Sequence, residues 1–253
     1  MKTVTQKIEG EVLTELMRCS FDGNQLRMAQ MDRALYVRVN KVLELLGGKW
    51  TTKLKAHVFP QDAAETVTAA LMAGEVVDLK KTYQYFPTPP ELAEHMADLA
   101  DLTAGDKVLE PSAGTGNIVK AVIGRGIFKS DVTAVELNPD MAKALASICG
   151  IVYDADFLKA PKAMGVFDRI VMNPPFTGGQ DVDHIRHAWN FLGDGGKLVA
   201  IASPGWQFRQ DRKFTDFREW LNEHNAEIED LSEGTFQASG TMVRATLLTV
   251  QKD

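Results

Sequence analysis

KVLEPSAGTGNIVKAVIGRGIFKSDVTAVELNP, running from Lys107 to Pro139, is the stretch that decides the fold. A short apolar run, Lys107–Leu109, passes into a turn of small residues, Glu110 to Gly116, and then into the helical spacing of Asn117–Gly124. A second run, Val132–Val135, follows and ends in Glu136. Strand, turn, helix and strand form the unit of a parallel sheet, because parallel neighbours need a crossover and a helix is its usual form.

Outward from this unit the alternation continues. Strands are expected at Ile151–Tyr153, Arg169–Met172, Lys197–Ala202 and Ala245–Val250, with a weaker one near Ile228–Leu231. Between them Pro139–Ile148, Val182–Phe191 and Phe214–His224 have helical spacing, with Pro139 where a first-turn proline is tolerated. The Pro-rich stretch Tyr85-Phe86-Pro87-Thr88-Pro89-Pro90 marks a change of pattern. The expected division is an accessory region over 1–80 and an α/β domain with a largely parallel sheet over 81–253. In the accessory region, Tyr36 to Leu46 carries Val39, Val42, Leu43 and Leu46 on one helical face and stops at Gly47-Gly48. Lys49 to Phe59 suits a strand or hairpin, and a second helical pattern runs from Asp62 to Met72 and ends at Gly74.

Composition narrows the class. The 253 residues are 45% apolar and 25% charged, which fits a globular chain and excludes a disordered, collagen-like or disulfide-rich one. Cys19 and Cys149 lack metal-ligand spacing and suggest a reducing, cytoplasmic compartment. No run approaches the roughly 18 apolar residues of a membrane span, and Met1 to Gly10 lacks the apolar core of a signal peptide. A net charge of −6 argues against a general nucleic-acid coat protein, yet Arg33, Arg38, Lys41, Lys49, Lys53 and Lys55 form a local basic patch.

The chemistry sits in the turns after the strands. Gly114 and Gly116 let backbone approach a ligand closely before a helix start. Val119 stands where a dinucleotide fingerprint has its third small residue, and the Gly-Lys-Ser/Thr of a P-loop is absent, so neither of those readings fits. Glu136, 20 residues after Gly116, stands where a carboxylate accepts ribose hydroxyls; the alternative is an acid capping the helix from Pro139. Asp156 ends the third strand, where it is either an acceptor for an adenine amino group with Phe157 packed nearby or a turn residue. The most specific signal is Asn173-Pro174-Pro175-Phe176, directly after the buried strand Arg169–Met172. Two prolines stiffen the turn and remove two donors, leaving the Asn173 side-chain oxygen and the Pro174 carbonyl as acceptors for one amino group, with Phe176 to stack on a flat ring.

In these pieces the chain resembles the class I S-adenosylmethionine-dependent methyltransferases, and among them the DNA adenine-N6 methyltransferases. Phe86-Pro87-Thr88-Pro89 with Met96 is similar to their motif X, Glu110 to Gly116 to motif I, Glu136 to motif II, Asp156 to motif III and Asn173 to Phe176 to motif IV, in the gamma order. Val39 to Phe59 resembles a stretch of phage and prophage members. The resemblance implies a Rossmann-like sheet of seven strands, the last antiparallel, with a small N-terminal α+β extension. It implies that Asn173, Pro174, Pro175 and Phe176 hold the target. Phe86, Thr88, Glu110, Ser112, Gly114 and Gly116, with Glu136, Leu137, Asp156, Phe157 and Asn173, would hold S-adenosylmethionine. The implied reaction is direct methyl transfer to the N6 amino group of adenine in DNA, flipped or single-stranded, without a metal.

One departure bears on specificity: 77 residues follow Phe176, too few for a large recognition domain after the catalytic core. Nucleic-acid contact is then expected from Lys49, Trp50 and Lys53, and from Trp206, Arg209 and Arg212, where aromatic and basic residues interleave. His184 and His187 lack the partners of a metal site, His57 and His95 read as structural, and Ser239-Gly240-Thr241 reads as a turn over the target pocket. Two other acceptors suit the same loop, a guanine amino group of ribosomal RNA and a protein glutamine amide. From a different class, a non-catalytic DNA or partner binder is the remaining reading.

Overall fold

The structure is a computed structural model that describes residues 5–59, 62–77, 86–232, 234–236 and 244–253. The chain divides into two compact units, Met1–Thr82 and Tyr83–Asp253.

In the first unit, β2 (Ser20–Asp22), β3 (Gln25–Arg27), β4 (Lys49–Thr51) and β5 (Ala56–Val58) form an antiparallel sheet in the order β2-β3-β5-β4, and β1 (Thr5–Lys7) pairs with β6 (Glu75–Val77). The helices α1 (Gly10–Met17), α2 (Arg33–Leu45) and α3 (Ala63–Ala73) close a core of Leu16, Leu26, Val39, Leu43 and Val67. Helix α2 begins three residues earlier than its apolar face suggests, because Asp32 caps it by accepting from Ala34 N and Leu35 N. Gly74, at φ 68°, ends α3 in the left-handed conformation.

The second unit is a three-layer α/β structure. Its strands are β7 (Val108–Glu110), β8 (Val132–Glu136), β9 (Ile151–Asp154), β10 (Phe167–Met172), β11 (Leu192–Ala202), β12 (Glu227–Leu231) and β13 (Ala245–Gln251). They form a seven-stranded sheet in the order β12-β13-β11-β10-β7-β8-β9. The pairs from β9 across to β11 are parallel, and β13, last in the chain, is antiparallel to both β11 and β12. Alternate strand residues feed opposite cores. Val108, Val171, Val199 and Leu247 meet α4 (Pro90–Leu99), α5 (Asn117–Gly124) and α6 (Pro139–Leu145) on one face. Leu109, Ile170, Leu198 and Leu248 meet α7 (Gln180–Ala188) and α9 (Arg212–Glu223) on the other.

In this unit, two further boundary differences have a physical reason. Strand β11 starts at Leu192 rather than Lys197, because Leu192 pairs with Phe167 at the start of β10 and the register shifts before Lys197 pairs with Arg169. Helix α7 ends at Ala188 and tightens into a 3₁₀ turn over Trp189–Phe191.

Candidate active site

Strands β7, β8, β9, β10 and β11 are parallel, so the turns after them gather at one edge, where the crossovers change direction between β7 and β10. Two backbone bonds draw these turns together at the tip of β8: Ala113 N donates to Val135 O, and Ala155 N to Glu136 O.

Asn173 is held by its own side chain. Its Nδ2 donates to Phe86 O and to Thr88 Oγ1, each at 3.1 Å. A carbonyl oxygen accepts and never donates, so the amide nitrogen must face Phe86 and Oδ1 must point elsewhere as an acceptor. Asn117, at the start of α5, donates from Nδ2 to Thr88 O at 2.8 Å. The segment Phe86–Thr88 is therefore stitched to the turns after both β7 and β10, with Thr88 buried. Sequence reasoning does not single out Asn117; its one signal is an amide directly after the glycine turn. Pro174 is buried, while Pro175 and Phe176 are half-buried, the latter against the core. Thr177 to Gly179 then turn the chain into α7, and a Cβ on Gly179 would come within 2.7 Å of Phe214 Cζ.

Two buried carboxyls flank the glycine turn. Glu136, 8% exposed, accepts from Gly114 N at 2.7 Å and from Asn138 N at 2.8 Å, so it clamps the turn after β7 against the end of β8. Burial pushes its carboxyl up against the opposing pull of those amides. Glu110 accepts from the Val119 amide in the first turn of α5, and its Oε2 is buried without a partner among the described residues. Burial, with the charge of Glu136 added, holds its carboxyl well above the usual carboxylate range. Gly116 is required by geometry: its φ is 74°, and a Cβ there would lie 2.5 Å from Ile148 Cδ1. Ser112 is half-buried and Leu137 exposed beside them.

Two expected contacts are corrected. The Phe157 ring is 2% exposed and turned into the core, packed on His187 and Phe191 at 4.9 and 5.6 Å between centroids, so it presents no face to a ligand. Asp156 caps the following turn through Leu158 N and pairs with Lys159. Trp206, expected at a nucleic-acid surface, is buried; its indole donates to Thr246 Oγ1 at 3.1 Å, and it cannot stack on a base. Arg209 lies 4.2 Å over the Phe214 ring and pairs with Asp211, while Arg212 is exposed beside Asp216.

Lys49, Trp50 and Lys53 are exposed on the β4–β5 hairpin. His184 and His187 pack around Phe157, and no group of three or more metal-ligating side chains occurs among the described residues. His57 is buried against Asn40, and His95 contacts Glu229 at the surface. The turn Ser239-Gly240-Thr241 lies outside the described residues. No described helix is long and apolar enough to cross a membrane.

The sheet order, its antiparallel last strand and the gathering of polar residues at one edge define the class I S-adenosylmethionine-dependent methyltransferase fold. No family model matches the sequence, and no curated protein matches it. Among solved structures, the chain is similar to a Vibrio vulnificus protein assigned as the modification subunit of a type I restriction enzyme, with 17% identity over 89% of this chain and 55% of that one, at a TM-score of 0.56. It is similar to the type I restriction enzyme EcoKI M protein, with 17% identity over 95% of this chain and 56% of that one, at a TM-score of 0.54. A protein from Listeria monocytogenes assigned as a class I S-adenosylmethionine-dependent methyltransferase matches with 15% identity over 74% of this chain and 68% of that one, at a TM-score of 0.50. The chain spans about half the length of the first two of these structures.

Proposed function

We propose that this chain is an S-adenosylmethionine-dependent methyltransferase acting on the N6 amino group of adenine in DNA. The observation that carries the reading is the fixed orientation of Asn173: its nitrogen is engaged by Phe86 and Thr88, so its oxygen stands as an acceptor beside the glycine turn. Similarity to the EcoKI M protein and to the Vibrio vulnificus modification subunit supports DNA over other acceptors.

The crevice fits the cofactor. Glu110 Oε2, buried and without a partner among the described residues, is left to hydrogen-bond a hydroxyl-bearing ligand, and the glycine turn admits close backbone approach. Phe86, Thr88, Ser112, Gly114, Gly116, Leu137 and Asp156 would complete its site with Glu110, Glu136 and Asn173. When bound, S-adenosylmethionine supplies an electrophilic methyl group on a sulfonium. The protein aligns the acceptor. Asn173 Oδ1 and the Pro174 carbonyl accept from the adenine amino group, drawing its hydrogens away from the ring and turning the nitrogen lone pair outward. An amide accepts hydrogen bonds without taking a proton, so Asn173 polarises and orients rather than acting as a base. Phe176 stacks on the ring. The base leaves the helical stack to reach these groups, or comes from a single strand. Lys49, Trp50 and Lys53, with Arg209 and Arg212, contact the nucleic acid outside the crevice. The resemblance of Val39 to Phe59 to phage and prophage members is what supports a role in protecting phage DNA from restriction.

Nucleoside mass spectrometry on DNA from methylation-deficient cells tests the reading. N6-methyladenine is expected with the wild type and not with Asn173→Ala. A wild type that leaves DNA unmodified and instead methylates guanine in ribosomal RNA or a glutamine amide would overturn the choice of acceptor; no product on any of the three would overturn the activity.

A further inference from the structure

Strand β11 lies beside β10 with Ala200 against Met172, so the chain leaving Ala202 emerges next to Asn173. It forms a four-residue helix, α8 (Gly205–Phe208), too short to persist by its own hydrogen bonds. Three sets of hydrogen bonds hold it. Asp181, fully buried in the first turn of α7, accepts from Ser203 N at 2.8 Å and from Ser203 Oγ at 2.7 Å. Trp206 is anchored through Thr246, and Arg218 of α9 donates to the carbonyls of Trp206 and Arg209 at 2.5 and 2.8 Å. The burial of Asp181 and Trp206 favours one geometry, since a buried polar group that has lost water must keep its partner.

What this rigid platform turns outward is Phe208, 66% exposed. The cations around it are matched by acids: Arg209 by Asp211, Arg212 by Asp216 and Lys213 by Asp183. The surface therefore offers an aromatic face more than free positive charge. Phe128 is equally exposed at 68%, but it precedes β8 and so stands at the opposite, amino edge of the sheet.

We propose that Phe208 stacks on a base of the acceptor DNA strand next to the target, holding that strand at the crevice beside Asn173. This rests on the DNA adenine reading above. Stacking tolerates any base, because every base has a π face.

Methyl transfer from labelled S-adenosylmethionine to unmethylated DNA, followed against DNA and salt concentration, tests it. Phe208→Ala should raise KM for DNA about tenfold, the effect of removing one base stack, with kcat held within about twofold. Phe208→Trp should restore KM, Phe128→Ala should leave it unchanged, and the slope of log KM against log salt should stay that of the wild type, since every phosphate interaction is kept. An unchanged KM in Phe208→Ala, or no rescue by tryptophan, overturns the stacking role while DNA methylation stands. A wild type that methylates no DNA overturns both, and is seen before any variant is compared.

Discussion

At the carboxyl edge of the sheet the polar side chains are tied to one another, whereas on the β4–β5 hairpin they face solvent. Asn173 is bound to Phe86 and Thr88, Asn117 to Thr88, Glu136 to Gly114 and Asn138, and Asp181 to Ser203. Lys49 and Lys53 form no ion pair among the described residues, and Trp50 is 47% exposed. Behind the hairpin lies a network of the first kind: buried His57 donates from Nε2 to Asn40 Oδ1, and Asn40 donates to Glu44. Tied groups keep their geometry before any ligand arrives, which is what a reaction limited by alignment requires. Solvated lysines contribute charge without geometry. Substitutions at the edge should therefore alter chemistry and stability, and substitutions on the hairpin should alter affinity alone.

The largest effect is expected at Asn173. Asn173→Ala removes the acceptor oxygen and both ties to the Phe86–Thr88 segment, and turnover should fall by about 10²–10³-fold, as when one preorganised polar group is removed elsewhere. Single-turnover methyl transfer measures this, and calorimetric titration should show S-adenosylmethionine binding largely retained. Activity within tenfold of wild type would break the comparison at its strongest point.

Next comes the support beneath the edge. Burial lowers His184 to about 4, with its Nδ1 unpartnered among the described residues. An imidazole neutral in the fold and basic when unfolded contributes stability that is complete above its ordinary value near 6.5 and is lost as pH falls toward 4. The loss amounts to about 3 kcal/mol at most. The raised carboxyls of Glu110, Glu136 and Asp181 act with the opposite sign, adding stability as pH falls toward the ordinary carboxylate range. Urea unfolding of wild type and His184→Phe from pH 7.5 to 4.5 separates the two, and the variant should lose less stability on acidification. Parallel curves would show that His184 does not stay neutral in the fold.

The two tryptophans show why part of the site is legible in the sequence and part is not. The strand-turn-helix alternation from Lys107 and the Pro-Pro turn after Met172 are local signals, and the sheet and Asn173 follow from them. Trp50 and Trp206 sit in similar mixtures of aromatic and basic residues, yet the second is buried by a partner, Thr246, 40 residues away. Phe157 likewise turns inward because α7 brings His187 beneath it, and Asn117 finds Thr88 across 29 residues. Exposure set by distant partners leaves no mark on the local sequence. The strands β2 and β3 escape a sequence reading because they are three residues each and mostly exposed, without an apolar alternation. Trp206→Phe, which leaves Thr246 without its indole donor, should cost about 1 kcal/mol in urea unfolding. Trp50→Phe should leave stability unchanged. Equal stability changes in the two would erase the contrast.

The smallest effect belongs to the hairpin lysines. Removing one cation that neutralises a duplex phosphate reduces the slope of log affinity against log salt by about 0.9. Lys49→Ala and Lys53→Ala should each shift that slope by about this amount in fluorescence anisotropy with a DNA duplex. The weakening should be uniform across sequences, because phosphate interactions carry no base information. Both positions are exposed and outside any ion pair among the described residues, so thermal unfolding should not move. If the slopes match the wild type while Trp50→Ala alone weakens binding, the hairpin acts through its aromatic ring. In that case it and the α8 platform would engage DNA by the same means, despite their opposite tryptophans.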